Sequence, residues 1–304
     1  MASDKKPLSG DMKAARPALT PGLYLVATPI GNLRDITLRA IDILGDVDLI
    51  ACEDTRVTGR LLAHYGIATQ KTPYHDFSDE AARRRLLDVL DSGRSVALVS
   101  DAGSPLIADP GYKLVRDAAA AGHAIYPVPG PSALIAGLQA SGLPTDRVLF
   151  LGFPPSKKQA RCAFFESVAT VQATLIFYES PKRIEGTVSD MAAVLGPDRP
   201  SSIAREITKL HEEHRRGSLA DLSASLPGMA KKGELVVIVG PPSTETPPLE
   251  PADIDRLLLA ALQEGGVKQA AASVARETGR PKRDLYARAV ALKSDARDRS
   301  DNDG

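Results

Sequence analysis

The chain has 304 residues, of which 43% are hydrophobic and 25% are charged, with a formal net charge of 0. This length suffices for two ordinary domains, and the composition is typical of globular proteins rather than of disordered chains. No run of about 18 apolar residues is present, so we expect no membrane-spanning helix. Its two cysteines, Cys52 and Cys162, form no C-x-x-C pair, which argues against a disulfide framework or a zinc site. A reducing cytoplasm is the expected location.

The chain up to residue 241 reads as a leader followed by an α/β body. Residues 1–21 lack the apolar centre of a secretory signal and are expected to form a disordered leader. Beyond them, short apolar runs alternate with helical periodicities, which predicts an α/β fold with largely parallel, buried strands. Proline and glycine near residue 130 divide this body, so we expect an N-terminal lobe at 22–129 and a second lobe at 130–241. The predicted strands are 23–27, 47–52, 95–100, 124–128, 147–152, 174–179, 201–206 and 234–239, and the predicted helices include 35–44, 80–90, 112–121 and 181–195.

The remaining chain is predicted to be helical. Residues 242–252 are proline-rich and should form an extended linker. Three helical periodicities then occupy residues 253–293, which fits a helix-turn-helix domain, with a plain packing bundle as the alternative. Residues 294–304 are expected to be a disordered tail. The predicted apolar faces comprise Ile254, Leu257, Leu258, Ala261 and Leu262, then Val267, Ala270, Ala271 and Val274, then Leu285, Tyr286, Ala289 and Val290.

Positive charge is concentrated in this helical region. Residues 268–299 contain nine basic and four acidic side chains, which leaves 9 − 4 = +5. A basic helical surface fits a nucleic-acid contact, but a solvated helix surface explains it equally well.

Five polar turns fall at predicted strand ends, where ligands bind in open α/β sheets. Any one of them could be an ordinary turn, but together they predict a composite crevice. The first turn lacks the G-x-G-x-x-G spacing, which argues against a dinucleotide site. The two histidines of the last turn lack H-E-x-x-H spacing, so we expect no metal site there. The turns are TPIGN (28–32), SDAGSPLIADPG (100–111), PGPSALIAG (129–137), FYESPKRI (177–184) and AREITKLHEEHRRG (204–217).

Six segments in order along the chain closely resemble the tetrapyrrole methylase superfamily, the class III S-adenosylmethionine-dependent methyltransferases. The TPIGN and SDAGSP loops favour the branch that acts on ribosomal RNA over branches that act on tetrapyrroles or diphthine. The resemblance covers residues 23–240, and the helical region is similar to an accessory domain of that branch. The six segments are LYLVATPIGNLRDITLRA (23–40), ACEDTR (51–56), SDAGSPLIADPG (100–111), PGPSALIAGLQASGLP (129–144), FYESPKRI (177–184) and REITKLHEE (205–213).

This resemblance implies a fold and a function. It implies two α/β lobes with S-adenosyl-L-methionine in the cleft between them, assembled as a homodimer. The implied reaction is 2′-O-ribose methylation of a cytidine in the decoding region of 16S rRNA, within the small ribosomal subunit. Two alternatives stay open: a tetrapyrrole or other small-molecule methylase of the same superfamily, and a ligand-sensing regulator that binds nucleic acid.

The resemblance also implies site residues. Because a ribose hydroxyl is a weak nucleophile, a proton acceptor or a charge stabiliser should help the transfer. Glu179 or Lys209 is predicted to handle the proton, while Arg205 stabilises charge. The predicted cofactor-binding residues are Pro29, Ile30, Gly31, Asp101, Gly103, Ser104, Ser132, Ala133 and Tyr178.

The substrate side is predicted from residues that lie outside the cofactor loops. Arg34 and Arg56 are expected on RNA phosphates, with Glu53, Asp54 and His75 beside them. For Asp54 and Arg56 a salt-bridged helix cap is an equal alternative.

Overall fold

The computed structural model describes residues 19–75, 80–228, 233–243 and 251–300, with side chains up to residue 294. The chain forms two compact units, residues 1–242 and 243–304. In the first unit the described strands form two five-stranded sheets. The strands are β1 (Gly22–Val26), β2 (Leu49–Cys52), β3 (Lys71–Pro73), β4 (Ser95–Val99), β5 (Ile125–Val128), β6 (Val148–Phe150), β7 (Thr174–Glu179), β8 (Pro200–Arg205), β9 (Glu213–Ser218) and β10 (Leu235–Val239).

The helices of the first unit cover the faces of these sheets. They are α1 (Leu38–Asp46), α2 (Thr55–His64), α3 (Glu80–Asp91), α4 (Tyr112–Ala120), α5 (Ala133–Ser141), α6 (Lys158–Glu166), α7 (Ile184–Leu195) and α8 (Leu219–Ser225). A 3-10 turn, Leu33–Asp35, precedes α1.

The first sheet has the strand order β3-β2-β4-β1-β5, and all its pairs are parallel. Apolar side chains on both faces explain this, since a parallel sheet is buried on both sides. Along β1, for example, Tyr24 and Val26 pack in one core while Leu23 packs in another. Because β1 and β4 are parallel neighbours, the loops that follow them lie side by side at one edge of the sheet.

The second sheet has the order β6-β7-β10-β8-β9, and only the β6–β7 pair is parallel. The prediction of largely parallel strands holds for the first sheet and is wrong for the second. The connection from β8 to β9, residues 206–212, is too short for the crossover that a parallel pair needs. One face packs around Phe165, Phe177 and Met191, and the other packs against α5 through Ile176 and Val236.

All eight predicted strands are confirmed to within two residues at each end, and the four predicted helices to within three. The prediction missed β3 and β9. The sequence of β9, Glu213–Ser218, is polar, and at the edge of the sheet none of its residues is fully buried. The apolar alternation by which strands are recognised is therefore absent there.

The second unit contains α9 (Pro251–Glu264), α10 (Val267–Thr278) and α11 (Lys282–Ser300). These helices enclose a small core of Ile254, Leu258, Ala271, Val274 and Leu285, joined by Ala289, which confirms the predicted three-helix pattern. The prediction is wrong for two residues: Tyr286 and Val290 were expected on the apolar face of the third helix, but they are 45% and 46% exposed.

The predicted boundaries of this region differ from the structure at the C-terminal end. The expected disordered tail, residues 294–304, is helical up to Ser300, because no glycine or proline interrupts α11. Most of the predicted leader (1–18) and linker (244–250) lies outside the described residues. Within the part of the chain that is described, no helix is both long and apolar enough to cross a membrane.

Candidate active site

A cavity of about 270 Å³ opens between loops of the two sheets, and we refer to it as the first cavity. Its wall is mostly apolar, with a small number of polar groups, as is typical of sites for small organic ligands. The lining residues are Ile30, Asp101, Ala102, Gly103, Ser104, Ile107, Ala108, Asp109, Ser132, Ala133, Phe153, Tyr178, Glu179, Ser180, Ile207, Gly233, Glu234, Leu235 and Val236.

Backbone hydrogen bonds tie the loops after β1 and β4 together at this cavity. The N–H of Thr28 donates to the carbonyl of Gly103 at 2.9 Å, and the N–H of Gly103 donates back at 3.0 Å. The Thr28 hydroxyl also donates to the carbonyl of Ser100 at 3.1 Å. Gly103 has a φ of 85°, and a Cβ there would lie 3.4 Å from a methyl group of Ile30, so glycine suits the position. The two loops therefore present one rigid edge.

The second of these loops carries an acidic group with an altered pKa. Leu106 and Ala108 have φ values of 71° and 62°, a left-handed conformation that costs non-glycine residues energy and that concentrates at functional sites. Burial of the carboxyl and the nearby charge of Glu53 raise the pKa of Asp109 to about 6, and the charges of Asp101 and Glu234 act in the same direction. This wall therefore favours a cationic ligand. Among the described side chains, no three His, Cys, Asp or Glu residues are grouped to hold a metal ion.

The second sheet contributes an aromatic wall. The hydroxyl oxygen of Tyr178 accepts a hydrogen bond from the N–H of Leu134 at 3.2 Å, and burial raises the pKa of this tyrosine. Phe153 packs edge-on to Tyr178, with a ring separation of 5.7 Å, and is 57% exposed at the cavity. Ser132 caps α5 by accepting from the N–H of Ile135, as its position in the sequence suggests. An aromatic side chain that is partly open to solvent provides a flat surface for a planar ligand group.

A second cavity, of about 300 Å³, lies next to the first. Asp101 lines both. The loop after β1 also contributes to both, because Ile30 lines the first cavity while Pro29 and Gly31 line the second. The second cavity is lined by Thr28, Pro29, Gly31, Leu33, Val57, Thr58, Arg60, Leu61, Ser100 and Asp101.

The predicted cofactor-binding residues divide between these cavities. Most of them line the first cavity, whereas Pro29 and Gly31 line only the second. Contact with a cofactor stays a prediction for all of them. Those on the first cavity are Ile30, Asp101, Gly103, Ser104, Ser132, Ala133 and Tyr178.

Glu179, a predicted proton acceptor, lies in the wall of the first cavity with its carboxylate fully buried. One oxygen accepts from the N–H of Ser180 and the other from the hydroxyl of Thr187, both at 2.7 Å. The guanidinium of Arg183 lies 3.3 Å from the second oxygen. Such saturation is typical of a carboxylate that holds a turn in place, here the turn between β7 and α7.

Lys209, the other predicted proton acceptor, is held as a cation. Its Nζ lies 2.9 Å from Glu206 and 3.3 Å from Glu234. Burial alone lowers the pKa of Lys209, but the bonds and charges of these two carboxylates outweigh burial and raise the pKa above its usual value. The aliphatic part of Lys209 packs on Gly31, where any Cβ would overlap it. Glu212, in the same loop, accepts from the N–H of Thr208.

Arg205, the predicted charge stabiliser, ends β8 and lies 3.7 Å from Glu213 on β9, with 12% of its side chain exposed. Among the described residues that line the two cavities, neither Arg205 nor Lys209 is included. The structure therefore does not place these two side chains on either described cavity wall, and their roles in the reaction stay predictions.

Among the predicted RNA-binding residues, Arg34 and Arg56 are sequence neighbours of Leu33 and Val57, which line the second cavity. Asp54 caps α2 and pairs with Arg56 at 2.6 Å, which is the helix cap foreseen as the alternative. The Arg56 side chain is nevertheless 87% exposed, so it remains accessible to a phosphate. Arg34 is exposed in the 3-10 turn, and His75 is exposed after β3. Glu53, half-buried after β2, acts on Asp109 through its charge.

Several lining residues were not singled out from the sequence. Asp109 lies inside the quoted SDAGSPLIADPG segment, yet its altered pKa depends on burial and on two carboxylates from other loops, Glu53 and Glu234, which no local pattern shows. Phe153 follows the predicted strand 147–152 and Glu234 begins the predicted strand 234–239, so position at a strand end was the available signal for both. Ile207 follows β8 in the same way.

Comparisons with known proteins place this geometry in context. A family model described as Tetrapyrrole (Corrin/Porphyrin) Methylases matches residues 22–223, and one described as RsmI C-terminal HTH domain matches residues 248–293. The chain is similar to "Ribosomal RNA small subunit methyltransferase I" of Mesorhizobium japonicum, with 49% identity over 92% of this chain and 94% of the relative. The protein of the same name from Erythrobacter litoralis is 51% identical over 91% of this chain and 97% of the relative.

A solved structure shows the same fold. The uroporphyrin-III-C-methyltransferase of Thermus thermophilus aligns with a TM-score of 0.52 and 22% identity, covering 72% of this chain and 94% of that chain. At this identity the likeness concerns the fold alone, which confirms the expected two-lobed α/β architecture.

Proposed function

The chain belongs to the tetrapyrrole methylase family, and we propose that it methylates the ribose 2′-hydroxyl of a cytidine in the decoding region of 16S rRNA, with S-adenosyl-L-methionine as methyl donor. The observation that carries this proposal is the similarity of the chain to proteins named as rRNA methyltransferases. This similarity includes the helical unit as well as the α/β unit. A tetrapyrrole methylase is the alternative of the same fold.

The first cavity fits such a donor. S-adenosylmethionine carries an activated methyl group on a cationic sulfonium, so the protein has no need to form a covalent intermediate. The acidic wall formed by Asp109, Asp101 and Glu234 complements that positive charge. Phe153 and Tyr178 offer apolar surface for the planar part of the molecule, and the glycine at position 103 allows close approach of the backbone.

The residues of this chain then have to orient the acceptor and handle its proton. Asp101 lies where the two cavities meet, and the N–H of Asp54 donates to its carboxylate at 3.0 Å, which fixes its position. We assign it the role of proton acceptor. Glu179 is a weaker candidate because its oxygens are already bonded, and Lys209 is better suited to stabilise negative charge, together with Arg205.

The remaining parts of the proposal concern partners. Arg34 and Arg56 would contact phosphates of the rRNA, with Glu53, Asp54 and His75 beside them. We further propose a homodimer in the cytoplasm, where the small ribosomal subunit is available. This assembly rests on the family resemblance, and equilibrium sedimentation at micromolar concentration tests it.

A transfer assay separates the alternatives. The protein is incubated with S-adenosylmethionine labelled in its methyl group and, in parallel, with small ribosomal subunits from cells that lack the modification, with deproteinised 16S rRNA, and with uroporphyrinogen. Label in the rRNA of the subunits supports the proposal. Label in uroporphyrinogen alone would support the tetrapyrrole alternative, and no transfer to any of them would favour a regulator.

A further inference from the structure

We infer that the second cavity receives the target nucleotide itself, as a single unstacked pyrimidine nucleotide of the RNA. This inference rests on the proposed function and adds the position of the substrate. The cavity volume of about 300 Å³ is at the lower end of the range for small-molecule sites, which suits a one-ring base with its ribose better than a longer stretch of RNA.

The position of the second cavity follows from what it shares with the first. Asp101 lines both cavities, and consecutive residues of one loop, Pro29, Ile30 and Gly31, alternate between them. A ribose held in the second cavity would therefore present its hydroxyl to the first across Asp101. This is the arrangement that methyl transfer requires, because acceptor and donor must approach in line.

The walls of the second cavity are fixed by hydrogen bonds before any ligand binds. The hydroxyl of Tyr65 donates to the carbonyl of Leu33 at 2.6 Å, which holds the 3-10 turn against the end of α2. On the opposite side Thr28 is bonded to Ser100 and Gly103. Such preorganisation reduces the entropy cost of binding.

The lining chemistry suits a nucleotide. Leu33, Val57 and Leu61 supply apolar surface for the faces of a base, and the buried hydroxyl of Thr58 lies among them. Arg60 lines the cavity from the exposed side of α2, where a guanidinium can bind a phosphate in bidentate fashion.

A nucleotide stacked within RNA could not enter this cavity. Its volume of about 300 Å³ has room for one nucleotide rather than for a stacked helix. Proteins that read RNA specifically bind unstacked nucleotides, and enzymes that act on one nucleotide draw it out of its stack. The inference thus also explains why the acceptor site is a pocket rather than an open basic surface.

A matched pair of substitutions tests the inference. Val57→Trp fills the second cavity, whereas Ala119→Trp places the same side chain at an exposed position of α4. We expect V57W to bind S-adenosylmethionine like the wild type by calorimetry, yet to lose at least about a hundredfold in kcat/KM for small subunits, since the acceptor is displaced. We expect A119W to match the wild type in both measurements.

A second variant, which truncates an exposed side chain, tests the inference if V57W does not fold. Circular dichroism shows whether V57W is folded. Arg60→Ala should raise the KM for subunits roughly tenfold with little change in kcat, because one charged hydrogen bond is lost. It should also reduce the slope of log affinity against log salt by about one phosphate contact. The control Arg85→Ala, on α3, should leave the KM and the salt slope unchanged.

Three outcomes would overturn the inference. They are normal methylation by a folded V57W, a joint loss of cofactor affinity and methylation in V57W, and R60A kinetics equal to those of R85A. In each case the wild type still methylates the subunits, so the proposed function stands. A wild type that transfers no methyl group to subunits would instead contradict the proposed function.

Discussion

At the scale of single residues, the candidate site depends on charges that neighbouring loops set. Lys209 is held as a cation by Glu206 and Glu234, whereas Asp109 has its pKa raised by burial and by other carboxylates. Both residues lie in strand-end turns that the sequence analysis quoted, SDAGSPLIADPG and AREITKLHEEHRRG. Glu206 is three residues from Lys209, but Glu234 and Glu53 come from segments far along the chain, so the sequence alone does not give the ionisation of either residue.

We expect Asp109 to make the affinity for the cofactor dependent on pH. The pKa of its carboxyl is about 6, above that of a free aspartate, so the group is ionised at neutral pH and takes up a proton as the pH falls through about 6. A cationic donor prefers the ionised form. Its affinity should therefore fall below that pH, approaching about tenfold per pH unit, and binding near that pH should release a proton.

Calorimetry with S-adenosylmethionine in buffers of different ionisation enthalpy measures both effects. The variant Asp109→Asn should bind weakly and without this pH dependence. Wild-type affinity that is constant between pH 7 and pH 5 would contradict the assigned role.

Substitutions separate the three candidates for the proton. Asp101→Asn should reduce kcat at saturating cofactor at least about a hundredfold, as expected for loss of a general base. Glu179→Gln should mainly lower the free energy of unfolding, since its oxygens accept from Ser180 and Thr187. Lys209→Ala should retain more activity than D101N. Single-turnover rates and thermal unfolding distinguish these results, and a D101N variant with normal kcat would remove Asp101 from the role.

At the scale of elements, periodicity was a reliable guide where an element is buried on a regular face. The buried strands β4, β7 and β10 follow from their apolar runs. The edge strand β9 does not, because Glu213–Ser218 is stabilised by pairing with β8 rather than by burial of its own side chains. Strand direction in the second sheet also depended on the length of a connection, which composition does not reveal.

The long helix α11 departs from the prediction in a way that bears on function. Tyr286 and Val290, expected in the core, are exposed, and they lie on the same helical face as the exposed Lys282 and Lys293. Basic residues that flank an exposed aromatic ring are suited to RNA. Arg288, by contrast, is engaged with Asp255 within the unit.

We therefore expect this face of α11 to contact rRNA. The double variant Lys282→Ala/Lys293→Ala should weaken binding to small subunits and reduce its salt dependence by about two phosphate contacts, with unchanged cofactor affinity. Lys268→Ala, on α10, serves as the control and should behave like the wild type. Filter binding across a salt series measures the effect, and equal salt slopes for all three proteins would rule this surface out.

At the scale of the whole molecule, the sequence predicted a composite crevice but not its division. Parallel pairing brings the turns after β1 and β4 to one edge of the first sheet. In the second sheet the end of β7 meets the start of β10, because these two strands are antiparallel. The division into two cavities arises from alternating residues of the TPIGN loop and from Asp101 between them. Such an arrangement depends on the packing of α2 against that loop, for example through Tyr65 and Leu33, which no motif encodes.

The most direct test of the account is the chemical identity of the product. Small ribosomal subunits that lack the modification are incubated with the wild-type protein and S-adenosylmethionine, and their 16S rRNA is digested to nucleosides for mass spectrometry. We predict the appearance of 2′-O-methylcytidine, at one position of the decoding region. A methyl group on a base, or an absence of any new methylated nucleoside while the protein binds cofactor normally, would contradict the account.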